Sequence, residues 1–395
     1  MGAGAVETRD KLTDPRVEAA LERSLAAGEI GLQVAAYLNG EPLIDTWGGV
    51  TEPDGDTPVT PATLFNIFSV TKGLAVTGLH LQAERGLIDY DAPVVQYWPE
   101  FGAHGKDKAT VRDVITHRAG VPQMPADITP ERLGDWDWIV ERLADTEPIV
   151  EPGTQNTYHS YTFGWLVGEL IRRTDPQGRP VGDFLRQEVC APLGADELYV
   201  GLPASEEHRV APLVYPVRPT PPPDDSKRWL AAPKQVNFIP EIYNRSDVRA
   251  ATILGAGGIS DARSVARLFA MIAGRGQLDG VRLLSEERVL SFLEPRPDHE
   301  GADYIFGGVM LVGMGGIMTD PRGVVRKYEG ERTLCSVGAG SSIGWADVDT
   351  GLSFAMTHNR MIVNPVMAAT QQADVPDPPF AELGDVLREI ARERA

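Results

Sequence analysis

Ser69 and Lys72, three residues apart, are the first residues of this sequence whose types and spacing indicate chemistry. On a helix this spacing places two side chains on one face, about one turn from each other. Residues 73–81 are mostly apolar, which is typical of a helix in the centre of a domain. A lysine buried there without a carboxylate partner tends to lose its proton, because desolvation penalises the charged form. The pattern predicts a neutral amine that acts as general base toward the serine hydroxyl.

Taken alone, Ser-x-x-Lys is a weak signal, since an exposed helix-capping serine followed by a solvated lysine has the same spacing. Two further stretches strengthen it. Tyr158 follows a Pro-Gly-Thr turn and precedes an apolar helix. A tyrosine there either packs with its hydroxyl at the surface or shuttles a proton, if a lysine cation favours its phenolate. In residues 336–342, small side chains allow an acyl group to lie against a strand edge, and backbone N–H groups can form an oxyanion hole.

Composition excludes several classes of function. The chain has 395 residues and a net charge of 37 − 56 = −19, which argues against nucleic acid and anionic membranes as partners. The N-terminus shows no secretory signal, and no apolar run reaches the roughly 18 residues of a membrane span. Cys190 and Cys335 are too few for a disulfide framework, so we expect a cytoplasmic protein. The histidines lack metal-site spacing, and neither a metal nor another cofactor is expected.

The order of elements predicts the α/β class, with one sheet built from both chain ends. An amphipathic helix over 14–27 precedes a hairpin of strands 32–38 and 42–47, which Asn39-Gly40 connects. Later strands are predicted at 305–311, 333–337, 341–347 and 352–357, followed by a closing helix at 381–393. We therefore predict an α/β domain of residues 1–88 and 297–395, with a mostly helical domain of residues 89–296 inserted between its halves.

Within the predicted inserted domain, apolar windows alternate with proline and glycine. Helices are predicted at 111–117, 136–143, 163–171 and 264–273. The proline-rich segment, residues 212–223, contains six prolines and cannot be the interior of a regular element. It is either an extended spacer at the surface or a lid over a cleft.

Several blocks of the chain resemble those of the serine beta-lactamase-related family, in particular the class C beta-lactamase-like, family VIII-type carboxylesterases. The blocks follow the family order across about residues 20–365, and they are 66–73, 86–94, 114–121, 152–169, 256–267 and 338–347. The resemblance implies a beta-lactamase/transpeptidase-like α/β fold, in which helices flank an antiparallel sheet and a mostly helical domain is inserted. It also implies a serine hydrolase that acts through an acyl-enzyme.

The resemblance implies a role for each matching residue. Ser69 would be the nucleophile, Lys72 the base or proton relay, and Tyr158 the residue that exchanges protons with the serine and the leaving group. The backbone N–H groups of Ser69 and Ala339 would bind the oxyanion, with Gly340 in place of Ala339 if the strand register shifts by one. Which member of such a site is the base is disputed, so Lys72 and Tyr158 are treated as a coupled pair.

The sequence departs from the family at the edge strand. Where the family has Lys, His or Trp followed by x-Gly, this chain has Ser336-Val337-Gly338, and a serine cannot provide the cation that binds a carboxylate. Ser160 stands where the family often has asparagine. Ser336, Gly338 and Ser160 are therefore predicted to line a site for a neutral ester.

The sequence thus predicts a serine carboxylesterase that acts on a small-molecule ester. Two alternatives stay open, namely an acyltransferase that passes the acyl group to an alcohol or amine, and a catalytically silent binding protein. Oligomeric state, the physiological ester and its acyl length are not determined by these patterns.

Overall fold

The computed structural model describes residues 10–319, 332–340, 342–362 and 379–394. Within these residues the α-helices are α1 (Pro15–Ala26), α2 (Thr71–Glu84), α3 (Val111–Ile115), α4 (Trp136–Ala144), α5 (Thr162–Thr174), α6 (Val181–Leu185), α7 (Arg228–Ala231), α8 (Pro240–Tyr243), α9 (Ser246–Ala250), α10 (Ala262–Ala273), α11 (Glu286–Ser291) and α12 (Pro379–Arg394). The strands are β1 (Gly31–Leu38), β2 (Glu41–Gly49), β3 (Phe65–Phe68), β4 (Gly258–Ser260), β5 (Gln277–Leu278), β6 (Val281–Arg282), β7 (Met318–Thr319), β8 (Thr333–Val337), β9 (Ile343–Asp347) and β10 (Leu352–His358).

A six-stranded antiparallel sheet in the order β2-β1-β10-β9-β8-β7 joins the two ends of the chain. The predicted hairpin at Asn39-Gly40 is confirmed, and both residues have the positive φ angles that this turn needs. Alternate residues of β1 point to opposite faces, so that Val34 packs with α1 and α12 whereas Ala35 lies in the core that contains α2 and α10. The expected antiparallel sheet flanked by helices is therefore present.

Helix α2 is buried along almost its whole length. All but one of its 14 residues are buried, and only the last residue, Glu84, is not. Gly78 allows α6 to pack closely, because a Cβ at this position would lie 2.4 Å from the Leu185 side chain. The helix that follows Ser69 is thus surrounded by protein, as its apolar sequence predicts.

The region from residue 89 to residue 296 is mainly helical but also contains strands. Strand β4 pairs with β3, and β5 pairs with β6 in a short hairpin. Helix α10 packs on β1, β9 and β10 although it belongs to this region by sequence. The division of the chain at residues 88 and 297 stays a prediction.

The strand predicted at residues 305–311 is wrong, because a turn occupies this stretch. The Asp303 carboxylate accepts the N–H groups of Ile305 and Phe306 at 2.9 and 3.0 Å, and Gly307 adopts a φ of +76°. A side chain that binds nearby backbone N–H groups competes with strand pairing, and apolar alternation does not reveal this competition. Ser341, the predicted start of the next strand, lies outside the described residues, and β9 begins at Ile343.

Two properties of the described residues bear on partners and cofactors. In the described ranges, no helix combines the length and the apolar character needed to cross a membrane. The same ranges contain no group of three or more His, Cys, Asp or Glu side chains that could hold a metal ion.

Candidate active site

The chain reaches Ser69 through a strained backbone. A bulge in β3 opposite β4 is followed by Phe68, which has a φ of +45°. A left-handed conformation at a non-glycine residue costs of the order of 1–3 kcal/mol and persists only where surrounding contacts enforce it. Here the Asn66 side chain accepts the Phe68 N–H at 3.2 Å, and the Phe68 ring packs on Tyr243 with centroids 4.8 Å apart. Ser69 therefore lies in the turn immediately before α2, at the wall of a cavity.

Lys72 is buried beside Ser69, as the sequence predicts. Its Nζ lies 3.1 Å from Ser69 Oγ and donates to the carbonyl oxygens of Ser160 at 2.8 Å and Gly255 at 2.6 Å. Only 4% of the residue is exposed, and no carboxylate of the described residues forms an ion pair with it. Burial lowers the pKa of Lys72 to about 7.

The hydrogen-bond partners of Lys72 accommodate the neutral amine. A neutral amine has two N–H groups and one lone pair, and carbonyl oxygens can only accept hydrogen bonds. The carbonyls of Ser160 and Gly255 take both N–H groups, so the lone pair is directed at Ser69. In this form the Ser69 hydroxyl donates its proton to Nζ, which is the arrangement of a nucleophile and its general base.

Close backbone packing brings the Gly255 carbonyl within hydrogen-bond distance of Lys72. Gly164 in α5 has no Cβ, and a Cβ there would lie 2.1 Å from the Gly255 nitrogen. The segment that contains Gly255 can therefore lie directly on α5, and its carbonyl reaches Lys72. Gly255 was not a predicted site residue, although it precedes the family block at 256–267, because a role carried by a backbone carbonyl leaves no signal in the residue type.

Tyr158 lies on the other side of Lys72, and its ring is held between neighbours. Lys72 Nζ is 5.1 Å from its ring centroid, and the ring stacks on His117 with centroids 4.4 Å apart. The Tyr158 N–H donates to Asp303 at 2.6 Å. His117 accepts the His159 N–H through Nδ1 at 3.1 Å, which is a structural role. Asp303 was not anticipated.

Hydrogen bonds of Arg118 and Asn156 hold the loop that carries Tyr158. Arg118 donates to the Asn156 side chain at 2.8 Å and also to the carbonyl of Gly153. Asn156 in turn donates to the carbonyl of Asp298 at 2.7 Å. These hydrogen bonds satisfy buried polar groups and fix the position of the loop.

The protonation state of Tyr158 differs from the phenolate that the sequence analysis considered. Burial raises the pKa of Tyr158 to about 12, an effect that the Ser69 hydroxyl partly offsets and the charge of Asp303 reinforces. Tyr158 is therefore a neutral phenol, and the expected stabilisation of its phenolate by Lys72 is not met. Burial also lowers the pKa of His159 to about 3 and that of His117 well below its ordinary value. Of these groups, Lys72 is the one that titrates near neutral pH.

The predicted oxyanion donors meet at the cavity wall. Ser69 and Ala339 both line the cavity, and neither N–H group has an acceptor in the described part of the chain. The Gly338 N–H is already donated to the Ser342 carbonyl at 2.7 Å. The Gly340 carbonyl accepts from His358 Nε2 at 2.9 Å, and Gly340 does not line the cavity. The arrangement therefore favours Ala339 over Gly340.

The remaining predicted binding residues have different positions. Ser160 lines the cavity, while Ser336 and Gly338 are not among its lining residues. Ser336 Oγ donates to the Ser69 carbonyl at 2.9 Å and so holds the backbone of the nucleophile. Gly338 allows its turn to pack against β3, because a Cβ there would lie 2.6 Å from the Ile67 carbonyl oxygen. A direct role for either residue in substrate binding stays a prediction.

The cavity beside Ser69 has a volume of about 250 Å³ and a mainly apolar lining. Residues 212–238 form a lid segment over it, which supports the lid interpretation of the proline-rich segment. The lid residues that line the cavity are Tyr215, Pro219, Thr220, Pro222, Arg228, Trp229, Ala232, Asn237 and Phe238. Among the described lining residues, Arg228 carries the single charged side chain.

The chain is similar to known proteins over most of its length. The family described as Beta-lactamase matches residues 15–375. A protein described as "Esterase/beta-lactamase LipL" from Mycobacterium tuberculosis is 36% identical over 355 residues, which are 85% of this chain and 79% of that protein. The crystal structure of a family VIII carboxylesterase is 29% identical, with a TM-score of 0.84, over 95% of this chain and 98% of that chain. The structure of EstA from Arthrobacter nitroguajacolicus Rue61a is 28% identical, with a TM-score of 0.83, over 98% of this chain and 100% of that chain.

The titration of Lys72 generates a first prediction. Because the folded amine loses its proton as the pH rises through about 7, labelling of Ser69 by a fluorophosphonate should accelerate along a single titration with that midpoint. Intact-mass time courses at pH values on both sides of 7 measure it. The variant Lys108→Gln, which removes an exposed lysine elsewhere, should keep the profile. A flat profile, or a midpoint at the ordinary lysine value of 10.5, would contradict the assignment.

The packing of Gly164 generates a second prediction. Gly164→Ala places a methyl group against the backbone of Gly255, which cannot move aside easily, and should lower the free energy of unfolding by about 1–3 kcal/mol. It should also slow labelling of Ser69, since the carbonyl bound by Lys72 shifts. Gly134→Ala is the control, because its Cβ would make an ordinary 3.5 Å contact with Ala251. Equal unfolding midpoints for the two variants would refute this account.

Proposed function

Because this chain belongs to the beta-lactamase family, we propose that its site is that of a serine carboxylesterase, which hydrolyses small-molecule esters through an acyl-enzyme on Ser69. The observation that carries the proposal is the contact of Lys72 Nζ with Ser69 Oγ at 3.1 Å, inside a buried site that contains two carbonyl acceptors. Esterase descriptions among the similar proteins support the same activity.

Acylation begins with the neutral amine of Lys72. Ser69 Oγ attacks the ester carbonyl carbon while its proton moves to Lys72 Nζ, and the carbonyl oxygen becomes an oxyanion. In the proposed reaction the N–H groups of Ser69 and Ala339, two residues that line the cavity, bind this oxyanion. Ser336 supports the geometry, since its hydroxyl holds the carbonyl of the same serine whose N–H binds the oxyanion.

Collapse of the tetrahedral intermediate breaks the bond to the leaving alcohol. The alkoxide takes a proton from the phenol of Tyr158, and Tyr158 recovers a proton from the ammonium of Lys72, so that charge and protons balance. A neutral phenol is the form required for this donation, and burial keeps Tyr158 in that form. Attack of water on the acyl-enzyme then uses the same groups in reverse and releases the carboxylic acid.

The site suits an ester more than a beta-lactam. Ser336 lies on β8, which pairs with β7 and β9 and is therefore not the edge strand that the sequence predicted. It replaces the cation that would bind a carboxylate at that position, and its hydroxyl is used for the backbone of Ser69. The cavity lining includes the apolar side chains of Ala339, Val337 and Met310. An uncharged acyl group can lie against this apolar lining without leaving a polar group unpaired.

Acyl transfer to an alcohol is the second candidate function. The apolar lining of the cavity favours it, because an alcohol with an apolar body can displace water from such a wall. Product analysis with an added alcohol distinguishes transfer from hydrolysis. A silent binding protein would differ from both, because its Ser69 would take no covalent adduct from a fluorophosphonate.

Removal of the nucleophile tests the assignment. Ser69→Ala should abolish turnover of short-chain p-nitrophenyl esters and covalent labelling, while the circular dichroism spectrum stays that of the folded protein. Ser205→Ala, at an exposed position, is the control and should keep both activities. Activity of Ser69→Ala equal to that of the parent protein would end the proposal.

Removal of the phenol hydroxyl tests the proton path. Tyr158→Phe keeps the ring that stacks on His117 but loses the donor, and kcat should fall by about 10²–10⁴-fold. Tyr97→Phe, away from the cavity, controls for loss of a tyrosine hydroxyl. If Tyr158→Phe retained full kcat, the leaving group would be protonated by another group.

A further inference from the structure

A second groove lies outside the catalytic cavity and shares a wall with it. It has a volume of about 630 Å³ and is formed by the lid segment and the turn at residues 304–307. Four residues line both spaces, and they are Thr220, Pro222, Arg228 and Phe306. The two spaces are therefore adjacent along these residues.

The outer groove is cationic, although the chain as a whole is strongly acidic. Lys227 and Arg228 both line it, and none of its described lining residues is an aspartate or glutamate. The net charge of the chain is −19, so two cations and no carboxylate among the described lining residues are a local exception. Aromatic rings hold both cations, with Lys227 Nζ 3.5 Å from the Tyr304 ring centroid and Arg228 Cζ 5.3 Å from that of Phe306.

Aromatic contacts connect this groove to the side of the site where the leaving group departs. Phe306 packs edge-on against Tyr158 with ring centroids 5.7 Å apart, and Arg228 lies on the Phe306 ring. Asp303 holds both aromatic residues, since its carboxylate accepts the N–H groups of Tyr158 and Phe306. Tyr158 donates the proton to the leaving alcohol in the proposed mechanism. The alcohol part of the ester, rather than its acyl part, therefore extends toward Arg228.

We propose that the substrate is an ester whose alcohol part carries an anionic group, such as a carboxylate, which Lys227 and Arg228 bind in the outer groove. The inference rests on the proposed esterase function and adds a substrate class to it. Arg228 is half-buried, and a guanidinium in such a position forms stronger hydrogen bonds with an anion than one in open water. A cation on the lid side also complements β8, where Ser336 provides none.

The test compares two esters that differ in one charge. The anion 4-acetoxybenzoate and the neutral 4-acetoxybenzamide have the same acyl group and nearly the same shape, and release of the phenol is followed by absorbance. The measured quantity is the ratio of kcat/KM for the anionic ester to that for the neutral ester. Changes in acylation that affect both esters cancel in this ratio.

Arg228→Gln should lower the ratio about tenfold or more, because it removes charge-assisted hydrogen bonds to the anionic group. Lys227→Gln should lower the ratio several-fold. Arg228→Lys keeps the positive charge, and its ratio should lie between those of Arg228→Gln and the parent protein. Rising ionic strength should lower the ratio of the parent protein. Lys234→Gln is the matched control, because Lys234 belongs to the same lid segment, carries the same charge and pairs with Asp224 outside the groove.

Two results would overturn the inference. If the parent protein, Arg228→Gln and Lys227→Gln give the same ratio, the two cations do not select an anionic alcohol part, while the esterase function stands. If the parent protein hydrolyses neither ester faster than Ser69→Ala does, the proposed function itself fails and the inference fails with it.

Discussion

The site depends on one buried amine whose hydrogen-bond partners do not fix its charge. A second buried lysine shows the difference. Lys106 Nζ donates to three carbonyl oxygens, those of Ala103, Ala144 and Thr146, so its ammonium form is fully paired and its neutral form leaves a carbonyl unpaired. At Lys72 a serine hydroxyl takes the third position, and a hydroxyl can donate as well as accept. Burial lowers the pKa of both lysines, to about 8 for Lys106, where the charge of Asp145 opposes the effect, and to about 7 for Lys72.

The other groups of the site are backbone carbonyl and N–H groups. A strained turn and close packing of glycines position them around Lys72 and Ser69. Phe68 accepts an unfavourable φ so that Ser69 enters α2 from the end of a strand. Gly164 and Gly255 allow two segments to touch where any side chain would separate them. Such contacts place a carbonyl or an N–H group to within a few tenths of an ångström without a specialised side chain. They also explain why the groups around Ser69 come from stretches far apart in the chain.

The lid segment determines what can approach this chemistry. Its prolines limit the conformations of the backbone, and its side chains form one wall of an apolar cavity that ends at Arg228. The opposite wall is the turn at residues 303–307, which a single carboxylate organises. The same carboxylate binds the backbone of Tyr158. One residue thus couples the position of the proton donor to the shape of the entrance.

The sequence alone determined the chemical core and most of the regular elements. Ser69, Lys72 and Tyr158 were identifiable as candidates because the proposed catalysis requires these side-chain types, and the order of the blocks around them indicated the fold. The hairpin at Asn39-Gly40 and the buried helix α2 followed from turn chemistry and from an apolar surface on all sides. For each of these features, the residue type itself carries the physical requirement.

Tertiary structure decided what residue types do not encode. Gly255 acts through a carbonyl, Ser336 through a bond to the Ser69 backbone, and Asp303 by capping a turn where alternation predicted a strand. The protonation of Tyr158 depends on how deeply the folded chain buries it, and the lysine cation does not overcome that burial. Arg228 belongs to the site because the lid folds back over the cavity. Backbone direction, burial and long-range contact are properties of the packed chain, and no local pattern specifies them.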